Sequence, residues 1–152
     1  MQTVIITGAA GGMGAAIAHA FAQEGHDLIL CDLNAAPLAD LAKVLEGRAT
    51  IDIVAGDVTA ADYPARIVAA LGARKIGALV HAAGVSPSMA DGNRVFAINF
   101  IATTRLVEKL LPHMAPGGAA ILIASNSGQI IARPLFDNAL KKVINGGSSL
   151  IL

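Results

Sequence analysis

Thr3-Val4-Ile5-Ile6-Thr7-Gly8-Ala9-Ala10-Gly11-Gly12-Met13-Gly14 opens the chain and decides how the rest is read. The apolar run up to Thr7 suits a strand buried on both faces of a parallel sheet. The chain then turns through Gly8, Gly11, Gly12 and Gly14 and continues as Ala15-Ala16-Ile17-Ala18-His19-Ala20-Phe21, a strong helix former. Strand, glycine turn and helix in this order open a dinucleotide-binding βαβ unit. In that reading Gly8 makes the tight turn and Gly12 leaves room for a diphosphate at the backbone. Gly14 lets the helix pack close to the strand. The amides at the helix start, Met13 among them, face the phosphates, and the helix dipole favours their charge. No Lys-Ser or Lys-Thr follows the glycines, so the stretch is not a nucleoside-triphosphate P-loop.

Working outward, Asp27 to Asp32 reads as a second strand that ends in an acid. Asp32 lies 18 residues past Gly14, near the separation of about 20 for the acid that binds the adenosine ribose. A carboxylate there accepts from both ribose hydroxyls and repels a 2′-phosphate. No Arg or Lys stands in the glycine turn or just after Asp32, so NAD is favoured over NADP. The plainer alternative makes Asp32 a loop acid or the cap of the next helix.

Further along, strands and helices alternate. Pro37 to Leu45 reads as a helix, Ala49 to Val54 as strand three. Asp57-Val58 follows at its C-terminal end, where ligands of open α/β sheets collect. Asp57 suits the adenine amino group, or the cap of a helix beginning near Ala61. Ile76 to His81 is strand four, and Ala82-Ala83-Gly84 bends away with side chains small enough for a ribose to lie against the backbone. His81 reads first as a strand-end residue with a satisfied imidazole, and only second as a general base. A long helix is expected from Asn93 to Met114. Asn99 sits in its apolar part, where a buried amide needs partners, as structural glue or as a water-holding relay. Ala119 to Ala124 is strand five, with Ser125 at its end as a turn residue or a reacting group. Residues 129–152 resist assignment.

Composition narrows the class. The chain has 152 residues, 55% hydrophobic and 14% charged, enough for one domain with a sizeable core. The formal net charge is zero with no basic run, which argues against nucleic acid. No apolar run reaches about 18 residues, so no membrane span is expected. The N-terminus enters a strand directly, without a basic leader. A single cysteine, Cys31, forms no internal disulfide and suits the reducing cytoplasm. The histidines show no metal-ligand spacing, so no metal is expected.

Taken together, the chain resembles the short-chain dehydrogenase/reductase superfamily from Thr3 to about Gly128. The matching residues are Thr7-Gly8 with Gly12 and Gly14, Asp32, Asp57-Val58, His81-Ala82-Ala83-Gly84, Asn99 and Ser125. The short loop from Gly84 to Asn99 is nearest the hydroxysteroid dehydrogenases and carbonyl reductases. The resemblance implies an α/β fold, a Rossmann-type doubly wound parallel sheet of order 3-2-1-4-5, here lacking the last strands. It implies one NAD-binding domain over 1–152, incomplete at its C-terminal end. It also implies hydride transfer between a nicotinamide and a secondary alcohol or ketone, with Ser125 holding the substrate oxygen and Asn99 supporting a proton relay. A homodimer or homotetramer through helix four is expected on the same ground.

Two departures stand out. His81 replaces the first Asn of the family's Asn-Asn-Ala-Gly, and no Tyr-x-x-x-Lys is present. Tyr63, the one tyrosine, lies elsewhere, while Asn138 and Lys142 stand where that pair would fall at the common spacing. A non-catalytic NAD-binding relative is therefore one alternative. Gly8, Gly11 and Gly14 also fit Gly-x-x-Gly-x-x-Gly of the extended branch, which includes sugar-nucleotide epimerases. A methyltransferase, which also has a glycine turn and an acid after strand two, fits the glycine spacing and Ser125 less well.

Overall fold

The computed structural model describes residues 2–125. Five parallel strands form one sheet in the order β3-β2-β1-β4-β5. They are β1 (Thr3–Thr7), β2 (Asp27–Asp32), β3 (Ile51–Ala55), β4 (Ile76–His81) and β5 (Met114–Leu122). The helices between them are α1 (Gly12–Gln23), α2 (Ala35–Val44) and α3 (Tyr63–Leu71), then α4 (Gly92–Phe96) and α5 (Thr103–Leu110). This is the doubly wound arrangement expected of alternating strands and helices. The residues expected at Asn138 and Lys142, and the whole of 129–152, lie outside the described residues.

The strands β1, β2 and β4 are covered on both sides, and the period of two along each shows how. Val4, Ile6, Leu28, Leu30 and Val80 pack with Ala18 and Ala22 of α1 and Leu38 of α2. Ile5, Ile29, Cys31 and Leu79 face the other way, onto Tyr63, Ile67 and Leu71 of α3 and Leu106 and Leu110 of α5. All five residues of β1 are buried, as a central strand requires. Each Leu or Ile enclosed in this way contributes about 1.5–3 kcal/mol of transfer free energy.

Two elements differ from expectation. The long helix is not a continuous α-helix: a π-helical segment, Ala97–Ala102, separates α4 from α5. Wider turns there leave Ile98, Ala102, Leu106 and Leu110 on the buried face, while Asn99 is exposed rather than buried. Thr103 and Thr104 donate their hydroxyls to the carbonyls of Asn99 and Phe100, at 3.1 and 3.0 Å, and so serve backbone groups that the π segment disturbs. The helix also ends early, in a short 3₁₀ turn at Leu111–His113. Accordingly β5 starts at Met114 rather than Ala119. Its register against β4 jumps from Ile76↔Met114 to Ala78↔Ala119, and Gly117, at φ +77°, lies within the bulge. Strands two and four run over the expected residues.

Candidate functional site

Strand order reverses between β1 and β4, and a cleft opens there at the C-terminal ends of the strands, the usual ligand position in such sheets. Its volume is about 490 Å³. Of the residues selected from sequence, Gly8, Asp32, Asp57, Val58, Ala82, Ala83 and Gly84 line it together. Gly12, Met13 and Gly14 form the start of α1 beside it. Asn99 stands behind Gly84, and Ser125 follows β5 at the same end of the sheet.

The glycine turn is shaped by close backbone approach. Gly8 has φ +68°, and a Cβ there would meet Ala83 N at 2.7 Å and the Ala82 carbonyl oxygen at 2.8 Å. A Cβ on Gly14 would collide with the carbonyl of Gly8. By contrast, a Cβ on Gly12 would find nothing within 4 Å, so the surface over this residue is open. Gly11 precedes the helix, and Ala15 N donates to its carbonyl at 2.8 Å. The amides of Gly12, Met13 and Gly14 lie before that bond and have no partner within the helix, which makes them donors for an anion.

Asp32 is fixed by the backbone on both oxygens. Oδ2 accepts from Ala10 N at 3.0 Å and Oδ1 from Leu33 N at 2.7 Å. Each oxygen keeps acceptor capacity for a hydroxyl donor. The plainer role of helix cap does not apply, because the residue before α2 is Asn34.

Asp57 is held differently. Its Oδ1 accepts from Thr59 N at 2.8 Å and Thr59 Oγ1 at 2.7 Å, and its Oδ2 from Arg94 Nη2 at 2.6 Å. Desolvation works against its charge, but Arg94 and Thr59 outweigh it and hold the carboxyl down at about 2. Asp57 does not cap α3, whose preceding residue is Asp62. Arg94 lines the cleft and had no signal in the sequence, since 37 residues separate the pair.

Behind the cleft, Asn99 clasps the backbone of one residue. Its Oδ1 accepts from Val85 N at 2.9 Å and its Nδ2 donates to Val85 O at 2.8 Å. The two bonds tie the π-helical segment to the loop after β4. His81 is buried, 3% exposed, with Nδ1 at 2.6 Å from Thr7 Oγ1 and Nε2 at 2.8 Å from Thr103 Oγ1. Burial pushes its pKa down. The expected satisfied imidazole is present. Tyr63 donates its hydroxyl to Val54 O at 2.7 Å and serves as a core residue under the cleft. No cluster of three or more potential metal ligands occurs among the described residues.

A family model described as "short chain dehydrogenase" matches residues 2–134. The chain belongs to the short-chain dehydrogenase family. It is 33% identical over 141 residues to D-threitol dehydrogenase of Mycolicibacterium smegmatis, covering 85% of this chain and 54% of that protein. It is 32% identical over 139 residues to sulfoacetaldehyde reductase of Chromohalobacter salexigens, covering 83% and 55%. Among solved structures, a short-chain dehydrogenase from Sphingobium yanoikuyae in complex with NADPH superposes with a TM-score of 0.74 at 32% identity, covering 90% and 57%. The short-chain dehydrogenase chain thus spans about half the length of these relatives. The family is one of oxidoreductases that use a nicotinamide cofactor, and the residues of the cleft fit such a group. They supply backbone donors at a helix start, an open face at Gly12 and a fixed acceptor at Asp32.

Proposed function

We propose that these residues form the cofactor-binding part of an NAD-dependent oxidoreductase acting between a secondary alcohol and a ketone. The observation that carries the NAD preference is the Asp32 carboxylate, anchored by Ala10 N and Leu33 N and lining the cleft. Two ribose hydroxyls satisfy such a group, whereas a 2′-phosphate opposes it. When bound, the nicotinamide supplies or accepts the hydride. Gly12, Met13 and Gly14 hold the diphosphate through their amides, and Asp57 with Val58 borders the adenine. Ala82, Ala83 and Gly84 let the second ribose lie against the backbone. Ser125 holds the substrate oxygen. Asn99, clasped to Val85, fixes the helix that supports the proton relay.

The sequence contains no Tyr-x-x-x-Lys, and Tyr63 is committed to Val54 O. That observation favours the second reading, a nicotinamide-binding chain without its own acid/base. Phe100 and Leu111 stand exposed along the long helix and support a homodimer or homotetramer through it. A buried free Cys31 suits the cytoplasm, and no helix among the described residues is long and apolar enough to cross a membrane.

Fluorescence titration with NADH and NADPH tests the cofactor assignment. NADH is expected to bind at least about tenfold more tightly, a difference of about 1.4 kcal/mol. Asp32→Ala is expected to erode that preference. Equal affinities in the native chain would overturn the NAD assignment. Alcohol oxidation by the purified chain would overturn the second reading.

A further inference from the structure

The hydrogen bonds around His81 have one direction in which every hydroxyl proton finds an acceptor. Thr103 Oγ1 carries one proton and donates it to the Asn99 carbonyl at 3.1 Å, because a carbonyl only accepts. Towards His81 Nε2, at 2.8 Å, the same oxygen must therefore accept. Nε2 bears the hydrogen, and in the neutral ring Nδ1 is then the acceptor. Thr7 donates to it at 2.6 Å. Thr7 Oγ1 in turn accepts from Ala83 N at 3.3 Å. A directed chain results, from Ala83 N–H through Thr7, His81 and Thr103 to the carbonyl of Asn99. Every member gives and takes what its chemistry allows.

The chain joins three places that the proposed reaction uses. Thr7 immediately precedes Gly8 of the glycine turn. Ala83 lines the cleft. Asn99 lies in the π-helical segment. We propose that His81 is a positioning residue that ties the cofactor turn to the Asn99 segment, and that it does so only as the neutral Nε2–H tautomer. The functional half of this inference rests on the nicotinamide-binding reading; the hydrogen-bond order does not.

Protonation would undo the arrangement. A hydrogen on Nδ1 would face Thr7 Oγ1, and the Thr7 proton would lose its acceptor. No charged side chain among the described residues enters the chain to offset this. From β2 the Cys31 thiol shares this face of the sheet and stays neutral, pushed up to about 12 by burial. From α3 the Tyr63 phenol also stays neutral, raised by burial. From β5 the register partner is the apolar Leu122. On α5, Arg105 reaches instead to Thr59 O at 3.2 Å. The folded pKa lies below the ordinary 6.5, so the latch is complete above 6.5 and opens as pH falls through the folded value.

Nitrogen-15 spectra of the purified, histidine-labelled chain read the tautomer directly. One ring is expected to show a pyrrole-like Nε2 and a pyridine-like Nδ1, without averaging, and to titrate below the ordinary 6.5. His81→Asn identifies it by removing that signal, and Thr103→Val, which removes the Nε2 partner, should mix the tautomers. A ring of the Nδ1–H form, or averaged shifts at pH 7.5, would overturn the proposal without any folded variant. NAD⁺ titrations from pH 7.5 down through the observed midpoint of the His81 signal supply the second readout. Affinity in the native chain should fall about threefold or more as His81 charges, and stay level in His81→Asn, whose amide does not titrate. Parallel profiles in the two proteins would overturn the positioning role. A fixed Nε2–H tautomer in a chain that binds no NAD⁺ at any pH would overturn the nicotinamide reading and uphold the hydrogen-bond order.

Discussion

Arg94 places Nη2 2.6 Å from Asp57 Oδ2, and this bond joins the loop after β3 to the helix that leads into the Asn99 segment. Arg94 also reaches Thr59 Oγ1 through Nη1 at 3.1 Å, so the guanidinium holds two polar side chains of that loop. Both partners of the ion pair are partly exposed, with side-chain exposures of 45% and 36%. Its stabilisation is accordingly of the order of a surface pair, about 0–1 kcal/mol.

The pair predicts an acid dependence. Asp57 has a folded pKa of about 2, below its unfolded value of 3.8, so its contribution is complete above that value. It is lost as pH falls from about 4 through 2. Arg94→Ala should bring the Asp57 carboxyl back towards the usual range and flatten this part of the stability profile. Carbon-13 titration of the aspartates reads the first effect. An Asp57 carboxyl that stays near 2 in the variant would show that Thr59 alone sets it.

Gly14 and Gly12 should respond oppositely to alanine. At Gly14 the added Cβ meets the backbone of Gly8 and Ala9, which has no flexible end to yield. Overpacking of this kind costs about 2–3 kcal/mol, so Gly14→Ala should lower the urea midpoint clearly. At Gly12 the Cβ enters open space, so Gly12→Ala should keep its midpoint yet bind NADH several-fold more weakly. A Gly12→Ala protein that binds as tightly as the native chain would place the diphosphate elsewhere.

Cys31 should be inert in the folded chain. Burial pushes its thiol up from 9.0 to about 12, so almost no thiolate exists at pH 8. A thiol reagent should label it only after unfolding, with a rate that follows denaturant. The raised value also means that its share of stability is full below about 9 and is lost as pH rises towards 12. Fast labelling at pH 8 without denaturant would contradict the buried position.

The central part of the fold was legible because short-range chemistry and tertiary demand agree there. Thr3 to Gly14 combines an apolar run, glycines at fixed offsets and a helix former, and β1, the turn and α1 follow it. Asp27–Asp32 and Ile76–His81 are likewise marked by what flanks them. The helix around Asn99 was not legible in detail. A π segment shifts the face by less than a turn, and the apolar spacing from Val95 to Leu111 reads as an ordinary helix either way. Thr103 and Thr104, paired polar residues inside it, were the available signal. Met114 is expected as the end of the helix and Ala115 to Gly118 fall between helix and strand, because Pro116 and two glycines interrupt both patterns, whereas the bulge keeps them in β5. In the site, Gly8, Asp32, Asp57, Val58 and Ala82 to Gly84, which line the cleft, were readable from motif position. Their supporting bonds were not: Arg94 to Asp57 and Thr7 to His81 span 37 and 74 residues, and no local pattern encodes such pairings.

The central placement of β1 has a consequence for synthesis. Of the five described strands β1 leaves the ribosome before the others, and β2 pairs one of its edges soon after. Its other edge waits for β4, and the Thr7–His81 bond closes over a separation of 74 residues. Until then the glycine turn is built but unsupported on the Ala82–Ala83 side, and an apolar strand edge stays open. A nascent chain halted before Ile76 would thus carry the dinucleotide motif without the cleft. The cleft arrives late, with the fourth strand rather than with the motif itself.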